Sequence, residues 1–121
     1  MIDLSAKQLA QVQEILQRYV PDSEVRAFGS RVTGNATQYS DLDLVVVGKE
    51  KLPQKTYYRL QEAFQESELS IRVDVLDWHR INGAFREIIK DNYAVIHSPA
   101  LKTDADAKSV GNSGRGVSAS R

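Results

Sequence analysis

The chain has 121 residues, 16 of them basic and 16 acidic, so its formal net charge is zero. That balance gives no bulk attraction to nucleic acid or anionic membranes and excludes a histone-like binder. With 41% hydrophobic residues, 26% charged residues and no cysteine, the composition is that of one ordinary globular domain. It has no disulfide framework, thiolate nucleophile or cysteine zinc site, and His79 and His97 lie too far apart in sequence for a histidine-only metal site. No apolar run approaches the roughly 18 to 20 residues of a membrane span, and Met1-Ile2-Asp3-Leu4-Ser5 lacks the basic head of a signal peptide. A cytoplasmic protein is expected.

Ser5 followed by Gln8 reads as a capping box, with Leu4 and Leu9 as its hydrophobic staple. Leu9, Val12, Ile15, Leu16 and Tyr19 continue at helical spacing until Val20-Pro21 stops the helix. Residues 24 to 28 read as a short strand running into a glycine turn at Gly29. Residues 42 to 47 form a near-continuous apolar, valine-rich run, the pattern of a central strand buried on both faces. Residues 56 to 68 carry Tyr57, Leu60 and Phe64 on one helical face. Residues 70 to 76 alternate Ile71, Val73 and Val75 with Arg72 and Asp74, which predicts a strand. Asp77 is a natural N-cap for a helix start at Trp78. Ile81, Ala84, Phe85, Ile88 and Ile89 mark a last helix, followed by an extended stretch over residues 94 to 97. The pattern predicts an α/β body of the two-layer α+β type, a mixed sheet with packed helices over residues 1 to 97. Residues 98 to 121 contain no aromatic residue and are rich in Gly, Ser, Asp, Lys and Ala, which predicts a disordered tail.

The chemistry concentrates in Phe28-Gly29-Ser30-Arg31-Val32-Thr33-Gly34 and Ser40-Asp41-Leu42-Asp43-Leu44. A glycine turn between a strand and a short helix lets backbone approach a ligand, and the first helical amides are free donors suited to phosphate oxygens. The Ser30 hydroxyl adds a further hydrogen bond, while Arg31 either neutralises anionic charge or points to solvent. Asp41 and Asp43 leave one face of a strand, and Asp74 is an acid between two valines on another. Each acid alone has a bland reading: turn residues before a strand for Asp41 and Asp43, and an edge-strand acid paired with Arg72 or Arg26 for Asp74. Three acids in apolar strands are costly to desolvate unless a cation satisfies them together. If the strands are neighbours, the oxygen-only set suits Mg²⁺, and two such ions would clamp an in-line displacement at phosphorus, with Asp74 also placed to take the proton of the incoming hydroxyl.

Gly29-Ser30, the gap to Asp41-Leu42-Asp43 and the later Asp74 together resemble the DNA polymerase beta-like nucleotidyltransferase superfamily. The small size is similar to its minimal nucleotidyltransferase branch, encoded beside a HEPN-domain protein in prokaryotic two-gene modules. The resemblance covers about residues 20 to 97 and implies the polymerase beta-like fold. By position it implies nucleotide-phosphate contacts at Gly29 and Ser30 and metal ligands at Asp41, Asp43 and Asp74. Thr33 stands where many relatives carry a basic residue, so no phosphate role passes to it. The resemblance further implies the antitoxin of a type VII-like toxin-antitoxin pair, transferring AMP from ATP to a tyrosine of a HEPN ribonuclease toxin and forming a hetero-oligomer with it. Two alternatives stay open: a non-enzymatic antitoxin that neutralises its partner by binding, and an enzyme acting on a small molecule or RNA end. Zero net charge weighs against a nucleic acid acceptor.

The remaining residues have plainer readings. His79, His97 and Trp78 are assigned to surface or packing roles, and Tyr57 to the buried helix stripe, with Tyr58 facing outward. Lys49, Lys51, Lys55 and Arg59, interrupted by Glu50, form a solvated face.

Overall fold

The computed structural model describes residues 2–99. Most of the expected tail, from residue 100 onward, lies outside the described residues. Helix α1 (Ala6–Tyr19) opens with the expected capping box: Ser5 Oγ accepts from Gln8 N–H and Gln8 Oε1 from Ser5 N–H, each at 3.0 Å. Strand β1 (Glu24–Phe28) leads through Gly29 into the short helix α2 (Ser30–Thr33), and β2 (Leu42–Val47) follows after a loop. Helix α3 (Gln54–Gln65), strand β3 (Val73–Asp77), a 3-10 turn (Trp78–Arg80), helix α4 (Gly83–Asp91) and strand β4 (Ala94–His97) complete the order.

The bounds of α3 and β3 differ from the sequence expectation, for local reasons. Helix α3 starts after Pro53, and the Ser67 hydroxyl donates to Phe64 O at 2.7 Å, closing the helix end at Gln65 rather than at residue 68. Strand β3 starts at Val73 because its ladder partner β2 begins only at Leu42, whose N–H donates to Arg72 O at 2.9 Å.

The strands form one sheet in the order β3-β2-β1-β4. β1 is antiparallel to β2 and β4, while β2 and β3 run parallel, joined by the α3 crossover. Alternation along the strands separates two faces. Val25, Ala27, Leu42, Leu44, Val46 and Val75 pack under α1 and α3 with Val12, Leu16, Leu60 and Phe64, forming the main core. On the opposite face Phe28 and Val45 meet Ile89 and Phe85 of α4, which crosses the sheet between its two edge strands. β2 is therefore buried on both sides, as its valine run requires.

Polar groups pin the connections. The Asp77 carboxylate, 1% exposed, accepts from the N–H groups of Leu52 and His79 and pairs with Arg80, tying the α3 entry to the end of β3. His79 Nε2 meets Gly48 O at 2.6 Å, and buried His97 bridges Ser23 O and Gln17, so both histidines fasten the frame. Trp78 packs in the α4-side cluster, with the guanidinium groups of Arg26 and Arg86 over its ring. Tyr57 lies half-buried in the α3 stripe and Tyr58 faces outward, as their spacing predicts.

Candidate functional site

The site forms where β1 ends beside the starts of β2 and β3, on the α4 side of the sheet. Ladder register places Phe28 opposite Asp43 and Asp43 opposite Asp74, so two strand carboxylates stand side by side on one face. Asp41, two residues before Asp43, precedes the same strand. The carboxyl of Asp43 is held above its ordinary value, first by burial, then by the charges of Asp74 and Asp41. The three expected acids therefore share one electrostatic neighbourhood, with negative charge at its centre.

Gly29 makes this packing possible. Its φ is +81°, and a Cβ there would lie 2.5 Å from Asp43 Oδ2, so both the turn and the carboxylate exclude a side chain. After it, the N–H groups of Val32 and Thr33 return to Gly29 O at 3.0 and 3.1 Å. Among the described residues, the N–H groups of Ser30 and Arg31 and the Ser30 hydroxyl find no protein partner, which leaves three donors beside the carboxylates. Gly34, at φ +89°, ends α2 in the left-handed conformation.

The structure changes the reading of Arg31. Its side chain is 4% exposed and turned inward. It donates to the carbonyls of Ser40 at 2.9 Å, Asp3 at 2.8 Å, and Thr37 and Gln38 at 3.3 Å each. The guanidinium is spent on the loop that delivers Asp41, which Thr37 N–H and Ser40 Oγ close at 2.9 Å. The expected contact with an anion is therefore replaced by a clamp on the loop before β2. Arg31→Ala should leave these carbonyls unpaired and cost about 2–3 kcal/mol in chemical denaturation. An anion-binding Arg31 would instead lower nucleotide affinity with stability unchanged.

Asp74 lies on the open edge and pairs with exposed Arg72, Nε to Oδ1 3.2 Å, the partner the bland reading allowed. As the side chains stand, no three acidic or imidazole groups among the described residues converge on one point. Exposed ion pairs are worth only about 0–1 kcal/mol, so Arg72 is a weak competitor for Asp74. The oxygen-only donors, their common face and the raised Asp43 carboxyl fit a hard divalent cation, provided Asp74 leaves Arg72. A cleft of about 970 Å³ adjoins these acids, lined by Asp43, Asp74, Phe28 and Phe85 and by Tyr57, Gln61 and Gln65 of α3. The clamp of Arg31 on carbonyls and the bond from Leu52 N–H to Asp77 escaped the sequence reading, since backbone partners carry no sequence signature.

A turn of free amides set against paired carboxylates suits a polyphosphate. Comparisons with known proteins agree with that class. Residues 9–103 match the nucleotidyltransferase domain family. The chain is 52% identical over 95 residues to the Haemophilus influenzae protein named probable protein adenylyltransferase MntA, covering 78% of this chain and 83% of that one. It superposes at TM-score 0.64 and 17% identity on a chain from a toxin-antitoxin crystal structure with AMP-PNP, covering 80% of this chain and 78% of the other. A second match, at TM-score 0.59 and 16% identity, is to a chain from the Shewanella oneidensis complex of a tri-AMPylated HEPN toxin with its MNT antitoxin, with 82% and 76% covered. These two structural likenesses show the fold. The chain belongs to the nucleotidyltransferase domain family and is a transferase.

Proposed function

We propose that this chain is the antitoxin of a two-gene module and transfers AMP from ATP to a tyrosine of a HEPN-domain toxin. The observation that carries the reading is the side-by-side register of Asp43 and Asp74, with the charge of Asp41 also felt at Asp43, beside the free donors of the Gly29–Ser30 turn. The 52% identity to a protein named an adenylyltransferase supports the nucleotide and the group moved. The AMPylated toxin in one structural neighbour and the AMP-PNP in the other support partner and substrate.

In this reading the amides of Ser30 and Arg31 and the Ser30 hydroxyl bind phosphate oxygens of ATP and fix the α-phosphorus over the carboxylates. Asp41, Asp43 and Asp74 would hold Mg²⁺, two ions fitting the set, and bound Mg²⁺ neutralises charge on the attacking and leaving oxygens. The tyrosine oxygen bonds to the α-phosphorus, the bond to the β-phosphate bridging oxygen breaks, and pyrophosphate leaves with the electron pair. Asp74, at the open edge, accepts the phenolic proton. We place this reaction in the cytoplasm; no helix among the described residues is long and apolar enough to cross a membrane.

The test incubates the purified chain with ATP labelled on its α-phosphate, Mg²⁺ and the protein encoded beside it. Label should appear on a partner tyrosine and vanish with Asp41→Ala. Full labelling by that variant sinks the assignment, and suppressed toxicity without label would replace catalysis by neutralisation through binding.

A further inference from the structure

We propose that the free edge of β3 receives the acceptor as an added strand, an extended segment of the protein substrate pairing with Val73 and standing a tyrosine beside Asp74, with Asp43 one strand further in. The inference rests on the adenylyl-transfer reading above and specifies how the same site takes its protein substrate.

β3 is terminal in the sheet, so one side of its backbone lacks a strand. Arg72 O faces β2, where it accepts from Leu42 N–H at 2.9 Å. Backbone groups alternate along a parallel strand, so Val73 and Val75 turn their N–H and C=O outward. The outward carbonyl of Val75 is already taken by the Tyr57 hydroxyl, which donates to it at 3.0 Å. Tyr57 thereby ends the pairable edge and confines an added strand to Val73 and the chain before it. That stretch lies directly beside Asp74. The cleft runs along this same edge, with Gln61 and Gln65 of α3 on one side and Asp43, Asp74 and Phe85 on the other. The edge is short and carries exposed Arg72, features that discourage indiscriminate pairing. Strand addition supplies main-chain affinity for an extended segment without a second domain.

The geometry also selects the acceptor residue. An added strand lies about 4.7–4.9 Å from β3, and side chains sharing a face with Asp74 stand upright beside it, with Cβ atoms about 4.5–5.5 Å apart. A serine hydroxyl ends close to its own backbone, short of the outer end of the neighbouring Asp74 carboxylate. A phenol hydroxyl extends past that carboxylate into the space above the acids. Length, before acidity, makes tyrosine the acceptor.

Two variants probe the edge in the full chain, with the neighbouring HEPN protein as acceptor. Val73→Pro removes an outward N–H and no ladder bond, a change edge strands tolerate. Gln65→Trp, at an exposed position of α3, fills the cleft and leaves β3 intact. Each should lower kcat/KM for partner labelling at least about tenfold, with affinity for ATP within about twofold of the parent. Replacing the labelled tyrosine of the partner by serine should give no labelled serine. Parental labelling by a folded Val73→Pro or by Gln65→Trp overturns the inference, and so does a labelled serine; if Val73→Pro does not fold, Gln65→Trp decides. A parent chain that labels no partner overturns the adenylyl-transfer reading itself, and the edge inference with it.

Discussion

Asp43→Asn is expected to lower AMP transfer by on the order of 10³-fold while raising the melting temperature of the metal-free chain, since several kcal/mol of charge stabilisation correspond to that factor. Asp43 is the middle acid, facing Asp74 across the ladder and following Asp41 in the chain, so its carboxylate is the one the other two repel. Its carboxyl sits above the ordinary value of 3.8, and burial is the first cause. A raised acid binds its proton more tightly in the folded chain than in the unfolded one. Ionising it therefore costs stability. The cost is absent below 3.8, grows as pH rises between 3.8 and the folded value, and is complete above that. Asparagine removes the cost and keeps the shape. The gain in melting temperature should be present at pH 7 with a chelator and shrink toward pH 4. Asp43 is partly solvated, so the gain is small beside the loss of activity. A variant that melts below the parent at pH 7 would show that the Asp43 carboxylate is a structural partner rather than a strained one.

The same opposition between stability and chemistry explains how much could be read from the sequence. Apolar periodicity and caps mark the frame: the Ser5–Gln8 box, the stripe of α1 and the valine run of β2 all stand where their spacing puts them. Asp77 was legible as an N-cap, accepts from His79 N–H and pairs locally with Arg80, yet the same carboxylate also accepts from Leu52 N–H, on a segment that only the fold brings to it. Arg31 shows the limit more sharply. A cation beside a phosphate-binding turn suggests an anion, but four backbone carbonyls claim it first, and any residue can supply a carbonyl. The acids were conspicuous because they break the apolar pattern of their strands. Their side-by-side register depended on the parallel pairing of β2 with β3, which the sequence left as a condition.

Gly29→Ala and Gly34→Ala form the second test, because both positions have positive φ and only one is crowded. Gly34, at φ +89°, has nothing within 4 Å of the added Cβ. Its substitution should cost only the backbone term, roughly 1–2 kcal/mol, with transfer by the folded protein close to parental. Gly29, at φ +81°, carries the same backbone cost, and its new Cβ would also stand 2.5 Å from Asp43 Oδ2. Either Asp43 rotates away, losing its alignment with Asp74, or the turn shifts and takes the amides of Ser30 and Arg31 with it. Misplacement of that kind costs about 10²-fold in rate, so Gly29→Ala should lose both stability and about two orders of magnitude in transfer. Matched losses of activity in the two alanine variants would mean that the left-handed backbone, and not the close approach of Gly29 to Asp43, is what the site requires. Combining Gly29→Ala with Asp43→Asn separates the two effects further. If Gly29→Ala acts by rotating the Asp43 carboxylate away, the double variant should transfer no more slowly than Asp43→Asn alone, whereas a shifted turn that misplaces the amides would multiply the two losses.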